Sequence, residues 1–260
     1  MTQIAFGCGL AAIVAYAAFR ARALDRSGAI AAWAIGAATF GAGGWPSALV
    51  LFAFFVPSAL LSRLGRERKR GLVDIAKSGA RDARQVLANG GIAASAIVLA
   101  RFLGAPLAVA FAAAFAGAFA AASADTWGTE IGTWIGGRPR SILTLRPLAA
   151  GLSGGISAAG TAAAAIGAVA VALVAQAAHV APFWPIALAG FIGATVDSLL
   201  GGSVQALRYC PSCKRDCESN PHICGTATVV RRGIAWFEND AVNFAATLAG
   251  AAVAATIVAR

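Results

Sequence analysis

The chain has 260 residues, of which 59% are hydrophobic and only 12% charged, a composition that excludes an ordinary soluble enzyme and points to an integral membrane protein. Its net charge of +10 lies in loops between apolar runs rather than on a basic helix or ribbon carrying base-reading side chains, so no nucleic-acid partner is expected. Many of the apolar runs are rich in Ala and Gly rather than Leu, which suits helices packed closely in lipid.

Taken in chain order, the first apolar run covers residues 2–19. It has no basic leader and no small-residue cleavage site before a polar stretch, so it is expected to stay as a span rather than be removed as a signal peptide. Residues 28–42 and 45–61 form two shorter runs split by "GAGGWPS", a Gly-Pro hinge that predicts a hairpin. The same logic repeats at 86–102 and 107–124, separated by "GAP". Runs at 151–178, 183–205 and 241–259 complete a predicted all-α polytopic bundle of eight spans, each near the ~20 residues a bilayer core requires. The whole chain, 1–260, reads as a single membrane domain, with residues 206–238 as a polar loop inside it.

The basic residues orient this bundle, because cytoplasmic loops hold the excess of Lys and Arg. All of the 21 except Arg101 and Arg260 fall in alternate loops, with eight between Arg63 and Arg84. Those loops are therefore expected in the cytoplasm, and both termini on the other side of a plasma or inner membrane. The positive loops would face anionic membrane lipids.

Polar residues that do not belong in lipid gather at that same end. "SADTWGTEIG" places Asp125 and Glu130 at the end of the fifth span. Helical spacing sets Asp125 beside Thr129 and Thr126 beside Glu130, so that carboxylates and hydroxyls share an edge. With Gly128 loosening the helix, these oxygens would suit a small hard cation such as Mg²⁺. Asp197, in "GATVDSLLGGSVQ", sits eight residues before Gln205, about 12 Å into the bilayer at 1.5 Å per residue. An ionisable group at that depth marks a functional position, or else an interhelical hydrogen bond with Thr195 and Ser198.

Three further segments supply donors. "RQVLANGG" places Arg84, Gln85 and Asn89 where they can meet phosphate oxygens, although Arg84 also serves as a topology charge. "RPLAAGLSGGISAAGT" leads Gly154, Gly155 and Ser157 into the sixth span; exposed backbone N–H groups at a helix start cradle phosphate, and small residues equally serve packing. "ENDAVN" offers Asn239, Asp240 and Asn243; the first two also suit helix capping, whereas Asn243 lies one turn inside.

Four of the five cysteines fall in "CPSCKRDCESNPHICG". A cytoplasmic loop disfavours disulfides. Cys210, Cys213, His222 and Cys224 make a tetrahedral set for structural Zn²⁺, with Cys217 as the alternative ligand.

These segments together resemble the transmembrane-protein-19 family of integral membrane proteins, which includes plant phytyl-phosphate kinase. The likeness rests on "ARDARQVLANGG", "ADTWGTEIG", "GGISAAGT", "GATVDSLLGGSVQ", "YCPSC", "HICG" and "NDAVN" in that order. It implies phosphoryl transfer from a nucleoside triphosphate, CTP or ATP, to an isoprenyl monophosphate such as phytyl or geranylgeranyl phosphate. The acids that match are Asp125, Glu130, Asp197 and Asp240. The expected roles place Mg²⁺ on Asp125 and Asp197, and the acceptor phosphate on Arg84 and Asn89. A lipid-phosphate cytidylyltransferase is the nearest alternative. A transporter would place its site near the midplane between inverted repeats.

Overall fold

The computed structural model describes residues 2–64 and 79–260. Arg66, Arg68, Lys69, Arg70 and Lys77, counted in the most basic loop, lie outside the described residues. Among those described, seven helices are long and apolar enough to cross a membrane. They are α1 (Thr2–Arg20), α2 (Arg26–Leu64), α3 (Ala83–Phe102), α4 (Leu107–Ile135), α5 (Ala158–Ala177), α6 (Phe183–Ser203) and α7 (Asn239–Val258).

At 39 residues, α2 is about twice the length one crossing needs. It is two arms joined at Gly44, whose φ of 62° and ψ of −155° are open to glycine and costly for other residues. Both ends of α2 return to one end of the bundle. Arg63 Nη2 donates to the Ala21 carbonyl (2.6 Å), and Leu24, just before α2, pairs with Arg81, just before α3. The second and third expected spans are therefore the two arms of α2, and the hinge lies where the sequence placed it.

The bundle is organised around α4. Phe115 and Phe119 are fully buried, and an unbroken run from Ala113 to Ala124 lies inside the molecule. Neighbouring backbones approach it through small residues. Gly117 of α4 faces Gly250 of α7 so closely that a Cβ on either would meet the other's carbonyl. Without a hydrophobic driving force between helices in lipid, such close contact supplies the dispersion that holds them. Ile13, Ile30 and Ile166 point outward and are more than half exposed, as side chains facing lipid should be. Trp134 and Trp236 near the basic end and Trp45 and Trp184 near the other are exposed as well, the placement of an interfacial aromatic belt.

Two boundaries differ from expectation. α4 does not stop at Ala124 but continues through Asp125 and Glu130 to Ile135. Gly128 does not loosen it; this glycine instead packs against Gly160 and Ala164 of α5. The sixth span begins at Ala158 rather than Gly151, because residues 151–157 form a turn and a short strand. That strand, β2 (Gly155–Ile156), pairs antiparallel with β1 (Arg140–Ser141).

The polar loop after α6 folds into a three-stranded antiparallel sheet ordered β4-β3-β5, from β3 (Leu207–Cys210), β4 (Arg215–Cys217) and β5 (Val229–Arg232). It is docked on two helices. Arg232 Nη2 donates to the Gly201 carbonyl of α6 (3.0 Å), and Arg208 pairs with Glu238 at the start of α7 (3.2 Å).

Candidate functional site

Asp125 on α4 and Asp197 on α6 meet. Their carboxyl groups are in hydrogen-bonding contact, and both are half-buried at the basic end of the bundle. α6 ends at Ser203, which puts Asp197 under two turns from the helix end. Two carboxyls in contact cannot both carry charge cheaply; they share a proton or take a cation between them. This all-oxygen donor set fits a hard divalent ion such as Mg²⁺.

Glu130, five residues further along α4, points about 140° around the helix from Asp125. It is buried, and its Oε1 accepts from Ser62 Oγ on the second arm of α2 (2.9 Å). The expected edge shared by Asp125, Glu130 and the two threonines is therefore split between two faces of α4. Arg81 bridges them. Its Nη2 donates to the same Ser62 Oγ (3.1 Å), and its guanidinium lies within electrostatic reach of Glu130 and Asp125. Burial lowers the pKa of Arg81, while Glu130 and then Asp125 pull it back up; the residue remains a cation.

Of the donors expected from the start of α3, Arg84 is exposed. Gln85 and Asp82 form a capping box, with Gln85 N donating to Asp82 Oδ1 (3.0 Å) and Asp82 N to Gln85 Oε1 (3.2 Å). Asn89 Nδ2 donates to the Gln85 carbonyl (2.9 Å). Arg81, three residues before Arg84, is the cation that the fold turns toward the acids.

The Gly-rich turn also has a structural account. Gly154 has φ +80°, and a Cβ there would overlap the backbone of Gly202 on α6. Gly155 belongs to β2, and Ser157 Oγ caps α5 by accepting from Gly160 N (3.1 Å). Packing and capping thus occupy the residues assigned to a phosphate cradle. Ser153 instead leads to a group that sequence reasoning missed. Its N–H and Oγ donate to the two oxygens of Glu218 (2.6 and 2.9 Å), and Gln205 Nε2 donates to Glu218 Oε2 (3.0 Å). Glu218 is buried and acts electrostatically on Asp197. Burial raises its pKa; the donors on Ser153 and Gln205 and the charge of Arg232 work the other way.

At the start of α7, Glu238 is the N-cap residue and Asp240 lies in the first turn, where the helix dipole favours a negative charge. One turn beyond half-buried Asn243, Thr247 Oγ1 donates to the Ala88 carbonyl of α3 (3.0 Å). Asn239, Asp240 and Asn243 therefore stand at the same end of the bundle as the first turn of α3.

The Cys/His loop does converge. One ligand atom from each of Cys210, Cys213, His222 and Cys224 lies within 4.8 Å of the others, a set that could hold a metal ion. Cys210 Sγ is 3.6 Å from Cys224 Sγ, which is 3.0 Å from His222 Nδ1. Cys217, the alternative ligand, is buried beside the Ser219 carbonyl and lies outside this group of four. Hydrogen bonds with Thr226 and His222 bring the Cys224 thiol down to about 6, whereas the hydrogen bond to Cys224 pushes the Cys213 thiol up to about 11. One thiolate is thus already present near neutral pH.

Ser62, Arg81, Ser153 and Glu218 carried little signal in sequence. Each is an ordinary loop or helix-end residue until distant segments meet. Arg81, Ser153 and Glu218 each stood within a segment already singled out, but beside residues with a stronger signal of their own; Ser62 stood in none.

Comparison with known proteins agrees with this architecture. Residues 9–251 match the family described as integral membrane protein DUF92, and the chain belongs to that family. It is 29% identical over 272 residues to Protein PGR of Arabidopsis thaliana, covering 95% of this chain and 93% of that protein. It is also 27% identical over 179 residues to uncharacterized membrane protein sll0875 of Synechocystis, covering 67% and 69% of the two chains. No solved structure matches it.

Proposed function

Taking membership of the DUF92 integral membrane family as the premise, we propose that the protein is a membrane kinase. It transfers a phosphoryl group from a nucleoside triphosphate, CTP or ATP, to an isoprenyl monophosphate. The observation that carries this is the contact between Asp125 and Asp197, acids from separate helices held together at the basic end beside Arg81. The excess of Lys and Arg in the loops at that end supports a cytoplasmic orientation, where nucleotide is available.

In the proposed reaction an oxygen of the lipid monophosphate attacks the γ-phosphorus of the donor. The bond between that acceptor oxygen and the γ-phosphorus forms as the bond from the γ-phosphorus to the β,γ-bridging oxygen breaks, and nucleoside diphosphate leaves. The acceptor is already anionic, so no strong base is needed; catalysis is mostly positioning and charge neutralisation. Mg²⁺ held by Asp125 and Asp197 would neutralise the donor phosphates. Arg81 neutralises the acceptor phosphate, and Ser62 and Glu130 fix the guanidinium. Glu218 orients the Ser153 turn and Gln205 against Asp197. Asp240 and the asparagines of α7 complete the polar rim. The Cys/His cluster takes Zn²⁺ in a structural role, stapling the sheet that presents Glu218.

The test is to incubate purified protein with phytyl or geranylgeranyl monophosphate, each nucleotide and Mg²⁺, and to identify the lipid products by mass. Diphosphate that disappears in Asp125→Asn and Asp197→Asn supports the proposal. A nucleotidyl-lipid product would show a cytidylyltransferase instead, and lipid left unchanged would sink both enzymatic readings.

A further inference from the structure

A groove runs between α1, both arms of α2 and the start of α3, with about 840 Å³ of empty space including its opening. Its walls are almost wholly apolar, among them Leu10 and Val14 of α1, Ala32 and Ile35 of α2, and Phe55 of the returning arm. Only Arg81, Gln85 and Asn89 among the lining residues carry polar side chains, and all three stand at the basic end. The other end is closed. Phe40 packs there against Phe6, tilted at a ring distance of 5.6 Å, and edge-to-face against Trp45 at 5.1 Å, and presses on Gly7. From Ala32 to Phe40 the groove follows α2 for about 12 Å.

Apolar walls with polar groups converging at one mouth describe a site for an amphiphile. The mouth adds charge complementarity. Arg81 spends one N–H on Ser62, and its guanidinium has five, so donors remain for an anion. The same guanidinium interacts with Asp125 and Glu130, which ties the groove directly to the acid pair. We propose that this groove seats the hydrocarbon chain of a single-chain lipid monophosphate, with its phosphate held by Arg81 and its far end stopped at Phe40. The inference rests on the kinase reading for its acceptor, and it adds where that acceptor lies and which residues limit its length.

The experiment measures binding apart from turnover. Purified wild type, Val14→Phe, Ala32→Phe and Arg81→Gln are titrated with radiolabelled geranylgeranyl monophosphate without nucleotide. Geranylgeraniol and dioleoyl phosphatidic acid serve as competitors, and thermal unfolding checks the fold. Both Phe variants fill half-buried groove positions and are expected to weaken binding at least tenfold, whereas Ile13→Phe, on the exposed face of α1, leaves it unchanged. Arg81→Gln should remove the preference for the phosphate over the alcohol. A lipid monophosphate bearing a photoreactive group near its tail end should label peptides of α1 and α2, which keeps the question open to answer even if a Phe variant unfolds. Unchanged affinity in folded Val14→Phe and Ala32→Phe, labelling confined to other helices, or equal competition by phosphatidic acid overturns the groove. Binding that follows the groove variants while no diphosphate forms would retain the groove and dismiss the kinase. Diphosphate formation indifferent to the groove variants would do the reverse.

Discussion

Asp125 and Asp197 oppose one another in the folded chain, and that opposition makes their functional and stability roles separable. Without a cation the pair is hydrogen-bonded, so an amide at one position can keep that bond to the other carboxyl while it removes a cation ligand. Asp197→Asn is accordingly expected to abolish diphosphate formation yet to leave the thermal midpoint without Mg²⁺ unchanged or higher; product mass and unfolding curves on the same preparation test both halves. Glu218 predicts the opposite pattern. It accepts three hydrogen bonds from Ser153 and Gln205, and truncation to Ala strands those donors. A cost of about 2 kcal/mol is expected from the unsatisfied buried groups, read as a lower unfolding midpoint. The cysteine cluster gives the pH dependence. Metal ligands must be deprotonated, so protons compete with zinc at Cys213, pushed up to about 11, and also at Cys224, held at about 6, whose thiolate is lost as pH falls through that value. Zinc retained against a chelator should therefore decline as pH falls from the alkaline range, and decline more steeply below about 6, where Cys224 is protonated as well.

Elements were legible in sequence wherever a long apolar run ended in turn chemistry, as at "GAGGWPS" and "GAP". They were misjudged where polar residues continued a helix. α4 extends beyond Asp125 because Glu130 and Thr126 are buried among other helices, a condition that composition read as the edge of the membrane. The Gly-rich turn shows a related ambiguity: glycine in front of a helix suits a phosphate and a close backbone contact alike, and here Gly154 meets Gly202. Gly154→Ala should overlap that backbone and also adopt a left-handed conformation unfavourable to Ala. The expected loss is about 1 kcal/mol or more, measured by thermal unfolding, with the α5 cap at Ser157 unaffected.

Across the whole molecule, the charge map makes a topological prediction of its own. Both termini should lie outside, so a C-terminal tag should react with an impermeant reagent in intact cells, and Cys213 and Cys224 only after permeabilisation with a zinc chelator present. Reactivity in the reverse sense would place the acid pair away from nucleotide. Hydropathy and turn residues alone determined the order of the apolar helices, the hinge inside α2 and the end at which charge collects, because lipid demands long apolar helices and loops cannot hide in it. The Cys/His ligand set was also legible, since its members lie close in the chain. Only the tertiary structure decided that Arg81 rather than Arg84 faces the acids, that Glu130 turns to Ser62, and that Glu218 braces Ser153. These partnerships join segments far apart in sequence, and neither periodicity nor spacing records which faces of two helices will meet.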